Sequence, residues 1–291
     1  MLKAILAVIA AIIIIIGGLF IGADFAMQQT MDVSLIGTIA NLAMLSQPAD
    51  KDALLDHPFD KNEDMLNVQE IVNNSVDDMI KFSILNGGYT VDFDNLPDEM
   101  LNIISLTDKQ VGALAQTILM QEYAGQVKIT DEIYMDIELF QVKFEACEDG
   151  DTRVNVVFGV EASSFKELLN VPPELVGALN LVPNQIYFSS TFDVTKEGSA
   201  FTYSIEPVSI TLNNLQDTQT KDTIALVDEL FGTGTAKELN QKVAEAIMGG
   251  LVGDDTTRGL AYSLKDIGAR DFNFKLVDTK DGTQLCFVVE R

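Results

Sequence analysis

Apolar residues in the first part of the chain recur at the three- and four-residue spacing of amphipathic helices. This spacing predicts a mostly helical region over Phe25–Leu55, in which Pro48 ends the helix. It predicts a second helix over Asn67–Leu85, which Asn86-Gly87-Gly88 would end. Thr107 and Gln110 have the spacing of a capping box, so a third helix should begin there and end near Gly125. Shorter helices are predicted at Ser163–Leu169, Pro172–Leu181, Asp222–Phe231 and Ala236–Met248, the last ended by Gly249-Gly250.

The apolar period changes from 3.6 to 2 at Ile133, which is typical of β-strands. Alternation runs to Leu139 and shifts phase at Phe140, which indicates a bulge. Hairpin turns are predicted at residues 148–151, 196–198 and 280–282, and an earlier strand at Tyr89–Phe93. Hairpins mixed with amphipathic helices indicate an α+β fold with a largely antiparallel sheet.

An apolar run, Ala4–Ala23, carries no charge and has the length of a membrane-spanning helix, about 30 Å. The anchor residues we single out are Ala4, Ile12, Ile16, Gly18 and Gly22. Lys3 precedes the run and Asp24 follows it, so we expect a cytoplasmic N-terminus and an extracytoplasmic remainder. A cleaved secretory signal is the alternative. Gly18 and Gly22 also have the small-residue spacing of paired membrane helices.

Three regions follow from these patterns: an anchor at residues 1–23, a helical membrane-proximal region at 24–104, and an exported α+β domain at 105–291. The formal charge of −25 excludes nucleic acid as a partner, because phosphates require a basic surface. It also argues against a polybasic lipid-binding patch. Cys147 and Cys286 are expected to be small buried side chains, with a disulfide as the alternative.

The sequence contains no nucleophile elbow, zinc-ligand spacing or glycine-rich phosphate loop. His57, the single histidine, is interpreted as a solvated loop residue rather than a base. Acidic groups at Asp60–Asp64 and around Asp92 are interpreted as solvated turn residues, since the first lacks the glycine and glutamate of a calcium loop. We therefore expect no enzyme activity, no metal and no cofactor.

The terminal hairpin carries apolar residues on both faces, so both faces of a sheet should be covered, by helices or by a bound ligand. The helix after Thr107 has few basic residues and is predicted to pack in the core rather than on a membrane. Residues that could face a hydrophobic ligand are Val111, Leu114, Ile118, Phe188, Phe192, Phe201, Phe272 and Phe274.

Three segments carry a family resemblance: Leu106-Thr107-Asp108-Lys109-Gln110, the strand and turn Phe192–Gly198 with Val208–Leu212 after it, and the hairpin around Asp281-Gly282. In their order, over about half of the chain, they resemble the YpmS-like family of bacterial membrane proteins. The resemblance implies one N-terminal membrane helix and an exported α+β domain. Phe25–Leu85 and Ala236–Met248 look like additions to that family's pattern.

Two functional expectations remain. One is a non-catalytic, membrane-anchored extracytoplasmic domain that binds a lipid or another hydrophobic ligand between its sheet and helices. The other is an interaction or scaffold module of the cell envelope that binds a protein or a cell-wall partner. A fully packed core with one exposed apolar or acidic patch would favour the second.

Overall fold

Three antiparallel sheets and the helices packed on them form the described part of the chain. The computed structural model describes residues 41, 43–85, 87–128, 134–161, 183–198, 200–223, 239–255 and 259–291. The predicted anchor, most of Phe25–Leu55, the segments Ser163–Leu169 and Pro172–Leu181, and most of Asp222–Phe231 lie outside these ranges. Within them, no helix combines the length and the apolar character that crossing a membrane requires.

The helices are α1 (Lys51–Leu54), α2 (Glu63–Asn73), α3 (Asp108–Tyr123), α4 (Leu239–Leu251) and α5 (Leu260–Ser263), followed by a 3-10 turn at Lys265–Ile267. The strands are β1 (Ile80–Ser83), β2 (Gly88–Val91), β3 (Ile104–Thr107), β4 (Gln126–Lys128), β5 (Tyr134–Ala146), β6 (Thr152–Glu161), β7 (Gln185–Lys196), β8 (Tyr203–Leu212), β9 (Asp271–Thr279) and β10 (Gly282–Glu290). The α+β class and the predicted antiparallel hairpins are confirmed.

The largest sheet has five strands in the order β4-β5-β6-β7-β8. Its pairing shifts between Leu139 and Gln141, which places the predicted bulge at Phe140. A second shift leaves Val208 unpaired next to Pro207 on β8, the edge strand. Proline is tolerated there because an edge strand does not need every backbone N–H for the ladder. The other sheets have the orders β3-β10-β9 and β1-β2.

Helix α3 begins with the predicted capping box. The Thr107 hydroxyl accepts a hydrogen bond from the Gln110 N–H at 3.3 Å, and the Gln110 side chain accepts one from the Thr107 N–H at 2.9 Å. The helix ends at Ala124, which is left-handed (φ 52°), immediately before Gly125 (φ 65°). Both bounds agree with the prediction, because capping is encoded locally.

The hydrophobic core covers one face of the five-stranded sheet. The register places Phe188 beside Phe158, and Phe192 beside Val154, on this face. Helix α4 is joined to the same face by Asn240, whose side chain lies 2.5 Å from the buried Ser190 hydroxyl. Phe274 of β9 meets Phe144 edge-to-face at 5.0 Å, so the three-stranded sheet packs here too.

The predicted helix Asn67–Leu85 is wrong beyond Asn73. Helix α2 ends there, and Ile80–Ser83 instead pairs with Gly88–Val91 as a hairpin. The Asn73 side chain bonds both the N–H and the C=O of Ile80, at 2.9 and 2.8 Å, and Asp78 turns the chain with a φ of 56°. These two hydrogen bonds and the left-handed turn determine the local structure, although the apolar spacing is that of a helix. The turn at Gly87 therefore belongs to a hairpin and does not end a helix.

Two further helix bounds differ from the prediction. Helix α4 continues through Gly249-Gly250 to Leu251, and the helical segment predicted from Asp222 is already formed at residues 217–223.

The predicted boundary between residues 104 and 105 falls inside β3. Met65 and Met100, before it, lie in the same core cluster as Val111, after it.

Candidate functional site

The face of the five-stranded sheet that points away from the core is mainly polar, and we call it the outer face. Alternation puts Lys143 opposite Asn155, and Asn155 opposite Thr191, on this face. Ser189 pairs with Thr211 further along the same face. Valine, phenylalanine and isoleucine occupy the intervening positions and point into the core, so one period-two pattern builds both surfaces.

A cavity of about 550 Å³ lies on the outer face, between the strands and two segments that fold over them. The strands contribute Gln141, Lys143, Glu145, Arg153, Asn155, Ser189, Thr191 and Thr211, and the covering segments contribute Asp50, Ala53, Leu54, Asp56, Asn213, Asn214, Leu215 and Gln216. A volume in this range suits a small molecule or a few residues of a peptide. The described lining includes no aromatic side chain.

Asn155 is the centre of the hydrogen-bond network on the cavity floor. Its carbonyl oxygen accepts a bond from the Gln141 amide at 3.0 Å. Its own amide donates to the hydroxyls of Ser189 at 2.9 Å and Thr191 at 3.0 Å. Each hydroxyl that accepts a bond in this way keeps its O–H as a donor. The network therefore fixes two hydroxyl groups that can donate to a ligand.

The lysine of the cavity lies between two carboxylates. Lys143 Nζ is 2.7 Å from Asp56 Oδ2 and 3.0 Å from Glu145 Oε1. Hydrogen bonds to Asp56 and Glu145 raise the pKa of Lys143, and the hydrogen bond from Lys143 lowers the pKa of Asp56. The positive charge is held in place and compensated within the protein.

The arginine of the cavity is compensated in the same way. Arg153 Nε and Nη2 each lie 2.8 Å from an oxygen of Asp193, which is a bidentate pair. These hydrogen bonds raise the pKa of Arg153 further. Neither cation of the cavity is free to attract a strongly anionic ligand.

Asn214 holds the cavity wall together. Its amide donates to the carbonyls of Met44, Gln47 and Pro48 at 3.1 to 3.3 Å, and its oxygen accepts from the Asp50 N–H at 3.2 Å. Asp50 in turn caps α1 by accepting from the Ala53 N–H. The Asn214 side chain thus holds residues 44–50 against the cavity, although they lie far from it in sequence.

His57 lies in a loop, as expected, but it is only partly exposed and is held by long-range hydrogen bonds. Its backbone N–H donates to the Gln141 side chain at 2.7 Å, and its Nε2 lies 3.0 Å from Asp108 Oδ1. The imidazole is 34% exposed, whereas the Asp108 side chain is 12% exposed. These hydrogen bonds form because α3 and β5 meet beneath the loop, and the local polarity of residues 56–60 gives no sign of that long-range contact.

The acidic turns are held by local hydrogen bonds. Asp60 accepts from the N–H groups of Asn62 and Glu63, both at 2.8 Å, and these backbone hydrogen bonds lower its pKa. Asp92 accepts hydrogen bonds from the side chain and the backbone N–H of Asn95, and these bonds lower the pKa of Asp92. Across the described ranges, no group of three or more His, Cys, Asp or Glu side chains is arranged to hold a metal ion.

Both cysteines are free thiols. Cys286 is 1% exposed, which confirms the buried placement, whereas Cys147 is half-buried at the end of β5. Burial raises the pKa of both thiols. A raised thiol pKa lowers the thiolate fraction, so neither side chain has the character of a reactive cysteine.

The residues predicted to face a hydrophobic ligand belong to the core. Val111, Leu114, Phe188, Phe192 and Phe272 are buried, and Ile118, Phe201 and Phe274 pack against them. None of these side chains lines the described cavity. Sequence reasoning missed the polar lining, although the alternating Lys143, Asn155 and Thr191 positions were visible in single strands.

Comparison of the chain with protein-family models, curated proteins and solved structures finds no match.

Proposed function

We propose that this chain is a non-catalytic, membrane-anchored extracytoplasmic module that binds a polar peptide of the cell envelope in the outer-face cavity. The observation that carries the proposal is the Asn155 network, which presents the Ser189 and Thr191 hydroxyls at the floor of a 550 Å³ cavity. The peptide belongs either to an envelope protein or to the peptide part of the cell wall.

The charge of the lining favours a neutral or basic ligand. Asp50, Asp56 and Glu145 outnumber Lys143 and Arg153, and both cations are already paired. The chain as a whole carries −25. This negative charge would repel a phosphate or a nucleotide, whereas it would attract a cationic group and tolerate a neutral one.

The hydrogen-bonding character of the lining favours a peptide over a sugar or a lipid. Fixed hydroxyl and amide groups complement the alternating donors and acceptors of a peptide backbone. A sugar ring is commonly stacked on an aromatic side chain, and the described lining has none. The proposal that the ligand is a lipid loses its support, since Phe188, Phe192 and Phe272 serve as core residues.

Pre-organisation supports binding as the role of the site. The floor and wall groups are held by hydrogen bonds to each other before any ligand arrives. Ordering them therefore costs little binding free energy. Membrane anchoring is proposed from Ala4–Ala23, which keeps the module next to envelope partners.

The test uses the full chain in lipid nanodiscs and compares two threonines of β7. Thr191→Val removes a floor hydroxyl, whereas Thr195→Val makes the same change four positions along the same strand, outside the cavity lining. A library of N-acetylated neutral and basic tetrapeptides is incubated with the chain, and retained peptides are identified by mass spectrometry. Affinities are then measured by calorimetry, with chitotetraose and dihexanoylphosphatidylcholine as the competing ligand classes.

We expect retained tetrapeptides whose affinity falls roughly two- to tenfold in Thr191→Val, the effect of about one net hydrogen bond, and stays unchanged in Thr195→Val. Cell-wall peptides and sequences from envelope proteins can then be distinguished by which retained peptides bind most tightly. Binding of chitotetraose or of the phospholipid at this cavity, or equal effects of the two variants, would overturn the proposal.

A further inference from the structure

The β1–β2 hairpin presents large apolar side chains to solvent at its tip. Leu85 is 98% exposed, Ile84 is 88% exposed and Phe82 is 53% exposed. The Phe82 ring packs edge-to-face on Tyr89 at 5.0 Å and continues the apolar surface toward the base. Adjacent, almost fully exposed leucine and isoleucine side chains at a turn are unfavourable in water unless something covers them.

The charge pattern separates this hairpin from the rest of the surface. Lys81 is the single charged residue of segment 79–91, in a chain whose formal charge is −25. Asp77, Asp78 and Asp92 bracket the segment at its base. The tip is therefore an apolar projection with one cation behind it, and the acidic side chains stand back from it.

The hairpin is fixed to the folded domain at its base. Asn73 bonds both backbone groups of Ile80, and the Gln121 side chain of α3 bonds both backbone groups of Val91, at 2.7 and 3.0 Å. The strands pair in register from Ile80 and Val91 to Ser83 and Gly88. The apolar tip is held at a set position relative to α2 and α3.

We propose that the tip of the β1–β2 hairpin inserts Ile84 and Leu85 into the interfacial region of the membrane that carries the anchor. This rests on the membrane-anchoring part of the proposed function and is independent of the peptide. The chain between Ala23 and Asn41 spans at most about 60 Å, which limits how far the folded domain can lie from the bilayer. Lys81, behind the tip, lies at the level of lipid phosphates when the tip is inserted.

A bilayer fits the tip better than a second copy of the chain does. A stable protein interface buries roughly 1,200 Å² or more, and two side chains and a ring edge provide a small part of that. Interfacial membrane contacts need only a few apolar side chains when another anchor is present, because two weak attachments reinforce each other. Insertion also fixes the orientation of the domain, because it adds a second point of attachment to the membrane.

The experiment places an environment-sensitive nitrobenzoxadiazole label at one of two hairpin tips in the full chain, in a Cys147→Ser, Cys286→Ala background. The test site is Leu85→Cys, and the matched control is Asp281→Cys at the polar tip of the β9–β10 hairpin. Labelled chains are reconstituted into phosphatidylcholine and phosphatidylglycerol liposomes. Flotation measures membrane attachment, and doxyl-labelled lipids measure quenching of the label.

We expect both labelled chains to float with the liposomes, and quenching at position 85 to be roughly three times that at position 281 or more. A chain that floats with equal quenching at the two positions overturns the hairpin proposal and leaves the anchor intact. A chain that does not float overturns membrane anchoring itself. Crosslinking between Leu85→Cys copies without quenching by lipid would assign the tip to self-association and also overturn the proposal.

Discussion

Replacing Gly112 by alanine tests how the cavity wall is attached to α3. Gly112 lies in α3, and a Cβ atom there would be 2.9 Å from Cε1 and 3.2 Å from Cγ of Phe59, and closer still to Cδ1. Contacts this short require the ring to move. Phe59 follows Asp56 and His57 in sequence, so a displaced ring pulls on the segment that covers the outer face.

The magnitude follows from two opposing effects. Glycine to alanine inside a helix ordinarily stabilises a protein by about 1 kcal/mol. Overpacking a filled site costs about 1–3 kcal/mol. We therefore expect Gly112→Ala to lower the free energy of unfolding by up to about 2 kcal/mol. Gly250→Ala in α4, where no atom lies within 4 Å of the new Cβ, should raise it by about 0.5–1 kcal/mol.

Urea unfolding of the full chain in detergent micelles, followed by circular dichroism, measures both variants. Phe59→Ala alone and combined with Gly112→Ala completes a double-mutant cycle, in which removal of the ring should cancel the penalty at position 112. If Gly112→Ala stabilises the chain as much as Gly250→Ala does, the ring does not pack on α3, and the described placement of the wall is refuted.

Three further predictions concern the core, the thiols and the cavity carboxylate. Phe192→Ala should cost about 3–5 kcal/mol in urea unfolding because the ring is fully buried; a loss below about 1 kcal/mol would contradict its core role. Iodoacetamide should leave Cys286 unmodified in the folded chain and label it in urea, with Cys147 intermediate, as read by peptide mass spectrometry; rapid native labelling of Cys286 would refute its burial. The pKa of Asp56 is lowered from 3.8 by Lys143, so its carboxylate stabilises the fold above that value and this contribution disappears as pH falls through the lowered pKa. The stability difference between wild type and Asp56→Asn should therefore be larger at about pH 7 than at about pH 2, and a constant difference would exclude the ion pair.

Features encoded by neighbouring residues were predictable from the sequence. The Thr107–Gln110 capping box and the bulge at Phe140 are set by residues within a few positions of each other, and both were confirmed. The hairpin at β1 and β2 was not predicted, because its apolar positions satisfy a helical period equally well. The hydrogen bonds between the Asn73 side chain and the Ile80 backbone favour the hairpin over the helix. The pattern of hydrophobic residues does not reveal these bonds.

The cavity was predictable only in part. The polar alternation in β5, β6 and β7 is visible in each strand, but the strands must be paired in the correct register before Lys143, Asn155 and Thr191 become neighbours. The wall is harder still, since Asp50 and Asn214 meet through a hydrogen bond between residues 164 positions apart. Local sequence rules carry no information on such a contact, so the polar face was left unassigned.

The cavity contains a lysine, Lys143, and two hydroxyl side chains, Ser189 and Thr191. Some hydrolases pair a serine with a lysine base. In such an enzyme the lysine must lose its proton near neutral pH, which requires a lowered pKa. Asp56 and Glu145 do the reverse here and raise the pKa of Lys143. The hydroxyls, for their part, accept bonds from Asn155 and have no described base directed at them. The same two carboxylates that would disable a lysine base outnumber its single positive charge, and this excess of negative charge suits a neutral or basic peptide.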